Sequence, residues 1–473
     1  MNAAPIRSGR SALLTVTGPD HPGVTAELFA QLASVDVEIL DVEQVVIRGQ
    51  LVLGVLLAIR VDEAEIKAVS DRVAAQAGVS IELSFDEAAA DLAEHRRRRN
   101  HVIVLGAPLP ATAVAAVASA ITHVGGNIDT ISRLSTYPVT SLELMVSGAK
   151  STRLRAALST VASQTGVDIA VEKAGLLRRS KRLIVLDVDS TLIQSEVIDC
   201  LAAKAGREAE VAAVTVAAMA GDLDFGQSLR DRVSLLEGLP AAALDEVYDQ
   251  LLLTPGARTV VRTLKAMGFR CGIVSGGFTQ ITDRLVTLLD LDFSAANTLE
   301  IVNGKLTGRL RGELLDRRGK AEALRRFAAE FDIPLSQTVA VGDGANDIDM
   351  LAAAGLGVAF NAKPVVREKA HAALNQPYLD AILFVLGISR AEVESLDEPR
   401  PERRTPSRRN VPFRAIRSPH APIPHISSGS SICGQRQQSC ARPGQAVACP
   451  QFIWPHRGYE GRCSAAPMRY ARV

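Results

Sequence analysis

The sequence predicts a multidomain α/β protein: a Rossmann-like core with a parallel sheet and a helical cap, preceded by two smaller α+β domains of βαββαβ order. Three observations support this fold class. From residue 182 onward, short apolar runs that each end in a polar cluster alternate with helical periodicity. Before that point the order βαββαβ occurs twice. The length of 473 residues suits about three domains at roughly 150 residues each.

The first small domain follows a strand, helix, strand, strand, helix, strand order. Its first strand ends at the turn Gly18-Pro19-Asp20-His21-Pro22-Gly23, and its second and third strands meet at Arg48-Gly49-Gln50, which indicates a hairpin. The predicted strands cover residues 13–16, 38–47, 51–59 and 79–83, and the predicted helices follow residue 23 and cover 62–77.

The second small domain repeats this order. Gly106 corresponds to Gly18, and Gly125-Gly126-Asn127-Ile128 corresponds to the stretch that ends at Ile39. Its strands are predicted at residues 101–105, 128–134, 141–146 and 167–171, and its helices at 110–124 and 151–164. The basic run 94–99 lies between the copies. A solvated linker is the favoured interpretation there, with a nucleic-acid patch as the alternative, because no aromatic or further basic residue extends the run.

Both units resemble ACT domains, which are regulatory modules that bind amino acids at paired interfaces. The resemblance rests on the βαββαβ order, the Gly-Pro-Asp-His-Pro-Gly turn of the first copy and the Gly-Gly-Asn-Ile-Asp of the second. It implies an amino-acid effector such as serine bound near Gly18 and Asp20, and it favours a homodimer. The second copy lacks the polar Asp and His of this turn, so the expectation applies to the first copy.

In the C-terminal half, three apolar runs at residues 183–186, 271–274 and 338–341 predict parallel strands. Polar clusters follow each of them, and ligands of such sheets lie beyond the carboxyl ends of the strands. Asp187-Val188-Asp189 follows the first run and can place two carboxylates at one reacting group, although a helix N-cap with a neighbouring turn acid is the alternative. Ser275-Gly276-Gly277 follows the second and can hold phosphate oxygens, with an ordinary strand-to-helix turn as the alternative.

Two further clusters complete the pattern. Gly319-Lys320 is predicted to open a helix, which places an ammonium beside a helix N-terminus. The stretch 342–350 follows the last run and includes Asp343, Asn346 and Asp347, which is too acidic for a core segment. Each cluster alone has a structural explanation, but four in this order indicate one phosphate-handling site.

These clusters resemble the haloacid dehalogenase superfamily of phosphotransferases and, within it, the phosphoserine phosphatases. The narrower resemblance adds Glu196, which stands nine residues after Asp187, and the cap segment 219–233, with Met219, Phe225 and Arg232. It covers residues 182–390 and implies hydrolysis of O-phosphoserine in the last step of L-serine biosynthesis. A different small-molecule phosphatase of the superfamily, or an amino-acid sensor with residual catalysis, is the alternative.

The resemblance also implies the role of each residue. Asp187 is the nucleophile that forms an aspartyl-phosphate, and Asp189 is the general acid and then the base. Mg²⁺ is held by Asp187, Asp343 and the carbonyl of Asp189, and Asp347 helps to hold this arrangement without being a direct ligand. The remaining residues bind substrate: Ser275, Gly276 and Lys320 hold the phosphoryl group, Asn346 orients the substrate, Glu196 pairs with the ammonium, Arg232 grips the carboxylate, and Met219 and Phe225 are apolar neighbours. Without the resemblance, Met219 and Phe225 would be interpreted as core residues and Arg232 as a solvated side chain.

The cap helix gives a geometric reason for grouping some of these residues. Phe225, Leu229, Arg232 and Leu236 recur at helical spacing, so they are expected on one helix face. Domain boundaries are expected at residues 1–95 and 96–175 for the two ACT-like units and 176–395 for the phosphatase unit, with the cap at about 195–260.

The last segment, 396–473, differs from the rest of the chain. The chain as a whole is 47% hydrophobic and 22% charged with a net charge of +1, which indicates a globular enzyme and no nucleic-acid partner. Residues 397–473 hold 13 Arg, no Lys and four acids, a charge of +9, which leaves −8 for residues 1–396. Disorder is the expectation for this tail. A basic arm for nucleic acid or acidic membranes, a Cys metal site and a non-native extension are the alternatives.

A cytoplasmic location without membrane contact is expected for the body of the chain. The apolar run 12–16 is too short for a secretory signal, and no run reaches the ~18–20 residues of a membrane span. Cys200 and Cys271, the two cysteines before the tail, suit a reducing compartment.

Overall fold

A computed structural model describes residues 10–87, 99–220 and 224–396. The predicted tail 397–473, residues 94–98 of the basic run and residues 221–223 of the cap segment lie outside the described residues, as does the side chain of Met219. Within the described ranges, no helix combines the length and the apolar character that crossing a membrane requires.

The first domain is an antiparallel sheet of four strands in the order β2-β3-β1-β4 with two helices. Alternate residues of β3 are buried, including Leu53 and Val55, and pack with Leu28 and Val69 of the helices. The strand β2 has nearly every residue exposed and forms one edge of the sheet. The elements are β1 Arg10–Pro19, α1 Val24–Leu32, β2 Val37–Ile47, β3 Gln50–Ile59, α2 Glu63–Ala77 and β4 Ser80–Glu87.

The second domain has the same order of elements, which confirms the predicted repeat. Its strands run antiparallel in the order β8-β5-β7-β6, and its helices bury Val117, Ile121 and Leu158 against the sheet. The elements are β5 Asn100–Gly106, α3 Ala111–His123, β6 Asn127–Ser135, β7 Thr140–Ser147, α4 Ser151–Thr165 and β8 Asp168–Lys173, and the short helix α5 Leu176–Arg179 follows.

The C-terminal core is the predicted parallel sheet. Its strands β11-β10-β9-β13-β14-β15 pair in parallel, and β12 adds an antiparallel edge. The strand β9 is buried along its whole length because helices cover both faces. The core strands are β9 Leu183–Leu186, β10 Arg270–Phe278, β11 Phe293–Val302, β12 Lys305–Arg311, β13 Thr338–Gly342, β14 Leu356–Phe360 and β15 Ala372–Leu374.

Helices surround this sheet and build the cap. The cap leaves the core after β9 and returns before β10, and Ile193 and Leu253 form an antiparallel bridge at its base. The cap helices are α6 Val197–Ala205, α7 Glu208–Ala220, α8 Phe225–Ser234 and α9 Ala242–Gln250. The core helices are α10 Ala257–Ala266, α11 Thr279–Leu289, α12 Arg317–Glu330, α13 Ile348–Ala353, α14 Pro364–Arg367, α15 Ala381–Val385 and α16 Arg390–Ser395.

The second domain and the core share one sheet of eleven strands. Ala170 of β8 pairs with Ala372 of β15. Beside this pair, Asp168 accepts hydrogen bonds from the backbone N–H and the side-chain amide of Asn375, at 2.7 and 2.6 Å. Arg178, buried between the two units, forms ion pairs that end on strands β7 and β8 of the second domain. The second domain is therefore fixed directly to the edge of the core sheet.

Two sequence expectations about helices are wrong in detail. The helix predicted to open at Gly319 begins at Arg317, because the side chain of Asp316 accepts a hydrogen bond from Gly319 N–H at 2.7 Å and caps the helix. Helix α8 ends at Ser234, so Leu236 lies beyond it rather than on its face.

Candidate active site

A cavity of about 780 Å³ lies between the carboxyl ends of the core strands and the cap. It has the position expected for a ligand site of a parallel sheet. Core and cap both contribute to its wall, and the wall includes eight of the residues singled out in the sequence: Asp187, Asp189, Glu196, Phe225, Arg232, Gly276, Asp343 and Asn346.

The first carboxylate pair sits on a tight turn after β9. The turn spans Val188–Leu192, and Ser190 adopts a left-handed conformation with φ of 56°. Asp187 Oδ1 accepts the N–H of Val188 at 2.8 Å, and Asp189 Oδ1 accepts the N–H of Val197 at 2.8 Å. Both side chains are thereby held by backbone donors, and both line the cavity. Asp187 also caps the turn, as the alternative interpretation of the sequence expects.

Lys320 is fully buried and lies between two carboxylates. Its Nζ is 2.8 Å from Asp187 Oδ1 and 2.8 Å from Asp347 Oδ1. Burial disfavours the charged ammonium, but the two carboxylates outweigh it and raise the pKa of Lys320. Lys320 therefore stays charged beside Asp187 and is not a solvated surface residue.

Asp343 completes a compact acidic group with Asp187 and Asp347. One oxygen of each carboxylate lies within 4.8 Å of the others, so the three can converge on a cation. Burial and the neighbouring Asp347 raise the pKa of Asp343 to about 6. Burial and Asp347 also raise the pKa of Asp187 above its ordinary value. Because the crowded charges repel one another, a bound divalent cation would stabilise their ionised forms.

The loop 275–277 approaches Asp189 closely. Ser275 Oγ donates to Asp189 Oδ2 at 3.2 Å and accepts from Gly277 N–H at 2.8 Å. A Cβ on Gly277 would lie 2.9 Å from Asp189 Oδ2, and one on Gly276 would lie 3.1 Å from the Phe225 ring. The two glycines thus let the backbone and its N–H groups approach Asp189 and the cap.

The cap presents one acidic and one basic side chain, Glu196 and Arg232, to the same cavity. Glu196 Oε1 accepts from Ser190 Oγ at 2.8 Å. Although this carboxylate faces the open cavity, desolvation by the surrounding protein, together with the charge of Asp189, raises the pKa of Glu196 to about 7. The Nε of Arg232 donates to Ser228 O at 3.3 Å, and within the described residues no other hydrogen bond or ion pair holds its guanidinium. A fork of donors is therefore available to a ligand.

Three expected residues remain to be placed, and one neighbour of the site was not foreseen. Met219 is in the last turn of α7. Gly18 and Asp20 lie at the end of β1 and in the loop after it, next to a cavity of about 270 Å³ that includes His21 and Glu27 but neither of these two residues. Thr191 was missed: its hydroxyl donates to Asp343 Oδ1 at 2.9 Å. Its position within the first polar cluster was the available signal.

Comparison with known proteins gives the family. Residues 184–352 match the haloacid dehalogenase-like hydrolase family, and residues 10–84 and 99–172 each match an ACT domain. A phosphoserine phosphatase of Streptomyces coelicolor is 55% identical over 402 residues, which cover 84% of this chain and 97% of the relative. A phosphoserine phosphatase of Mycobacterium tuberculosis is 56% identical over 391 residues, covering 82% and 95%.

Solved structures agree with this assignment. An unliganded probable phosphoserine phosphatase of Vibrio cholerae is 37% identical, with a TM-score of 0.51, and covers 65% of this chain and 91% of its own. A haloacid dehalogenase family hydrolase of Salmonella enterica is 29% identical, with a TM-score of 0.54, and covers 61% and 98%. With its paired ACT domains, its hydrolase core and relatives more than half identical along nearly their whole length, the chain belongs to the phosphoserine phosphatase family of haloacid dehalogenase-like hydrolases.

Proposed function

We propose that this chain hydrolyses O-phosphoserine to serine and phosphate with Mg²⁺, through a phosphate ester of Asp187. The observation that carries the proposal is one cavity lined by Asp187, which is paired with the buried Lys320, and by Glu196 and Arg232 of the cap. The first pair suits phosphoryl transfer, and the second suits the two charged groups of a free amino acid. The relatives of this chain carry the same activity in their names.

Asp187 is the proposed nucleophile. Its ion pair and hydrogen bond among the described residues both end on Oδ1, which leaves Oδ2 to attack phosphorus. As the new O–P bond forms, the bond between phosphorus and the serine oxygen breaks. Protonated Asp189 gives its proton to that oxygen, and burial favours this starting state because it raises the pKa of Asp189.

Asp189 then reverses its role. As a carboxylate it takes a proton from water, whose oxygen attacks phosphorus, and the bond to Asp187 breaks to release phosphate. The hydrogen bonds from Val197 N–H and Ser275 Oγ hold the two oxygens of Asp189 in place. One carboxyl group in a fixed position therefore serves both half-reactions.

The side chains of Asp187 and Asp343 and the carbonyl of Asp189 would hold Mg²⁺, in agreement with the compact group of carboxylate oxygens. When bound, the ion neutralises charge on the nucleophile and the phosphoryl oxygens. The oxygens of Asp347 already accept from Lys320 Nζ and from Gly344 N–H. This supports a role for Asp347 behind the ligands rather than among them.

The remaining residues bind the substrate. Ser275, the Gly276 N–H and Lys320 are proposed to hold phosphoryl oxygens in a site where fixed donors stabilise developing charge. Asn346 lines the cavity and would orient the substrate. Glu196 would pair with the ammonium and Arg232 with the carboxylate, while Phe225 and Met219 would pack against the carbon chain.

The proposal is tested by phosphate release from a panel of monoesters. O-Phosphoserine is expected to be hydrolysed faster than O-phosphoethanolamine, which lacks the carboxylate, and than phosphoglycolate, which lacks the ammonium. The activity should disappear with EDTA and return with Mg²⁺. Equal rates on all three esters would reject the substrate assignment and favour a broader phosphatase of the same family.

We also propose that an amino acid such as serine binds the first ACT domain near Gly18 and Asp20, in a homodimer located in the cytoplasm. The strand β2 lies at an edge of its sheet, and its exposed side chains include the apolar residues Val45 and Ile47. This supports contact with a second copy. Calorimetry on protein whose active site is blocked, with light scattering on the same samples, tests this. Absence of heat with every amino acid would remove the effector, and a monomer mass would remove the dimer.

A further inference from the structure

Asn297 is a buried amide outside the cavity wall that connects two parts of the active site. It lies on β11 and is 2% exposed. Its Nδ2 donates to the carbonyl oxygen of Gly276 at 2.8 Å, and its Oδ1 accepts from the backbone N–H of Leu315 at 2.7 Å. These partners belong to the loop 275–277 and to the segment before helix α12, which are far apart in sequence.

The loop needs such a partner because it leaves the sheet. In the pairing of β10 with β11, Val274 lies opposite Ala295 and Phe278 lies opposite Asn297, so four steps on one strand face two on the other. The residues between Val274 and Phe278 therefore bulge out of the ladder. The side chain of Asn297 satisfies the carbonyl of Gly276 that the ladder does not reach.

This contact fixes the peptide group between Gly276 and Gly277 at both ends. Its oxygen accepts from Asn297, and its N–H donates to Ser275 Oγ. The same hydroxyl donates to Asp189 Oδ2 at 3.2 Å. A chain of hydrogen bonds thus runs from Asn297 to Asp189, the proposed acid and base.

The other side of the amide anchors the helix that carries Lys320. Leu315 precedes Asp316, the residue that caps helix α12 through Gly319 N–H. Lys320 follows in the same turn and pairs with Asp187. Movement at Leu315 would therefore displace the N-cap residue Asp316 and the ammonium of Lys320 together.

We propose that Asn297 is a positioning residue for phosphoryl transfer, which holds the loop 275–277 and the start of helix α12 in register with each other. The inference goes one step beyond the proposed function and rests on it for the choice of substrate. The position requires an amide, because one partner is an acceptor and the other is a donor. A carboxylate would place oxygen against the Gly276 carbonyl, and an apolar side chain would leave both partners unsatisfied.

The experiment compares Asn297→Asp and Asn297→Ala with wild type and with the control Asn100→Ala. Asn100 is 1% exposed and makes two side-chain hydrogen bonds, to Ala149 O and from Ser151 Oγ, but it lies in the second ACT domain. The kcat and KM for O-phosphoserine, the affinity for orthovanadate with Mg²⁺ by calorimetry, and the thermal unfolding midpoint are measured for each. Orthovanadate binds as a mimic of the transferring phosphoryl group and requires no serine contact.

We expect kcat to fall at least about 10-fold in both Asn297 variants. This loss should be smaller than the loss of about 10²–10³-fold that is typical when a direct donor is removed. Orthovanadate affinity should fall by a similar factor. KM should stay within about 3-fold because Glu196 and Arg232 are untouched, and Asn100→Ala should keep every constant while lowering the unfolding midpoint. If Asn297→Asp does not fold, the smaller Asn297→Ala decides.

Three results would overturn the inference: a folded Asn297 variant with kcat unchanged, a loss of kcat in Asn100→Ala as large as in the Asn297 variants, or an orthovanadate affinity equal to that of wild type. A wild-type protein that does not hydrolyse O-phosphoserine would contradict the proposed function instead. In that event the orthovanadate measurement alone decides the role of Asn297.

Discussion

At the scale of single residues, Lys320 shows what a sequence pattern can and cannot predict. The pattern places an ammonium near a helix start, where solvation is the ordinary outcome. The structure buries the residue completely and gives it two carboxylate partners at 2.8 Å. A buried ammonium is tolerated only with such partners, and they come from positions 187 and 347, which no local pattern can bring together.

Thr191 and Asn297 escaped prediction for a related reason. Each acts by a hydrogen bond to a distant segment: Thr191 to Asp343 and Asn297 to Gly276. Hydroxyl and amide side chains are common in turns and strands, so the residue type alone carries little information. The charged members of the site were predictable because several of them follow apolar strands in a recognisable order.

Arg232 provides a prediction at this scale. Replacement by Ala should raise KM for O-phosphoserine about 10- to 100-fold, since a hydrogen bond to a charged group contributes about 1.5–3 kcal/mol. Arg232→Lys should recover only part of this because an ammonium lacks the bidentate fork. Steady-state kinetics on both variants check it, with Arg230→Ala, an exposed arginine of the same helix, as the control. Unchanged KM in Arg232→Ala would exclude the carboxylate contact.

At the scale of elements, the strands and helices of the repeats and of the central sheet were predictable from periodicity. The hairpin β11 Phe293–Val302 and β12 Lys305–Arg311 was not predicted, and neither were β14 and β15. In β11 the apolar residues Ile301 and Val302 are exposed, and β14 is buried along its whole length. The place of these strands is therefore set by pairing with the sheet rather than by a local alternation of apolar and polar residues. Helix α12 begins two residues before the predicted start because Asp316 is its N-cap.

The N-cap residue Asp316 leads to a prediction for helix α12. Asp316→Ala should lower the free energy of unfolding by about 1 kcal/mol, the usual contribution of an N-cap. It should also lower kcat, because the first turn of helix α12 carries Lys320. Ser389→Ala removes the cap of α16, a helix without site residues, and is the matched control. Denaturant unfolding and kinetics are measured on both variants, and equal effects on kcat would show that the cap has no specific link to the site.

At the scale of the whole molecule, the most consequential feature is the shared sheet. The sequence separates two ACT-like units from the hydrolase unit, but it does not reveal that β8 continues the core sheet beside β15. This contact depends on residues 168–170 and 372–375, which are about 200 positions apart. At the end of β15, Leu374 O accepts a hydrogen bond from the backbone N–H of Asn361 at 2.7 Å, and Asn361 lines the cavity. The junction is thus connected to the cavity wall through β15 and this hydrogen bond.

Asp168 makes this junction sensitive to pH. Burial raises its pKa from 3.8 to about 6, against the opposing effect of its hydrogen bonds to Asn375 and of the charge of Arg367. Between these pH values the folded chain holds a proton that the unfolded chain has released. The contribution of Asp168 to the free energy of unfolding therefore decreases as pH rises from about 4 to about 6, by up to about 3 kcal/mol.

The prediction is checked by unfolding wild type and Asp168→Asn at pH 4.5 and 7. The stability of wild type relative to the variant should be greater at pH 4.5 than at pH 7, since Asn cannot lose a proton. Asp36→Asn, a change of an exposed carboxylate in the first domain, controls for the substitution itself. A stability difference that does not change with pH would refute the role of Asp168.

The central claim concerns Asp187, and trapping the covalent intermediate tests it most directly. Protein turning over O-phosphoserine with Mg²⁺ is quenched in acid and digested, and the phosphate is located by peptide mass spectrometry. We predict that phosphate is found on Asp187 in wild type and that Asp187→Asn shows neither the modification nor turnover. Phosphate on another residue, or turnover that persists in Asp187→Asn, would contradict the account.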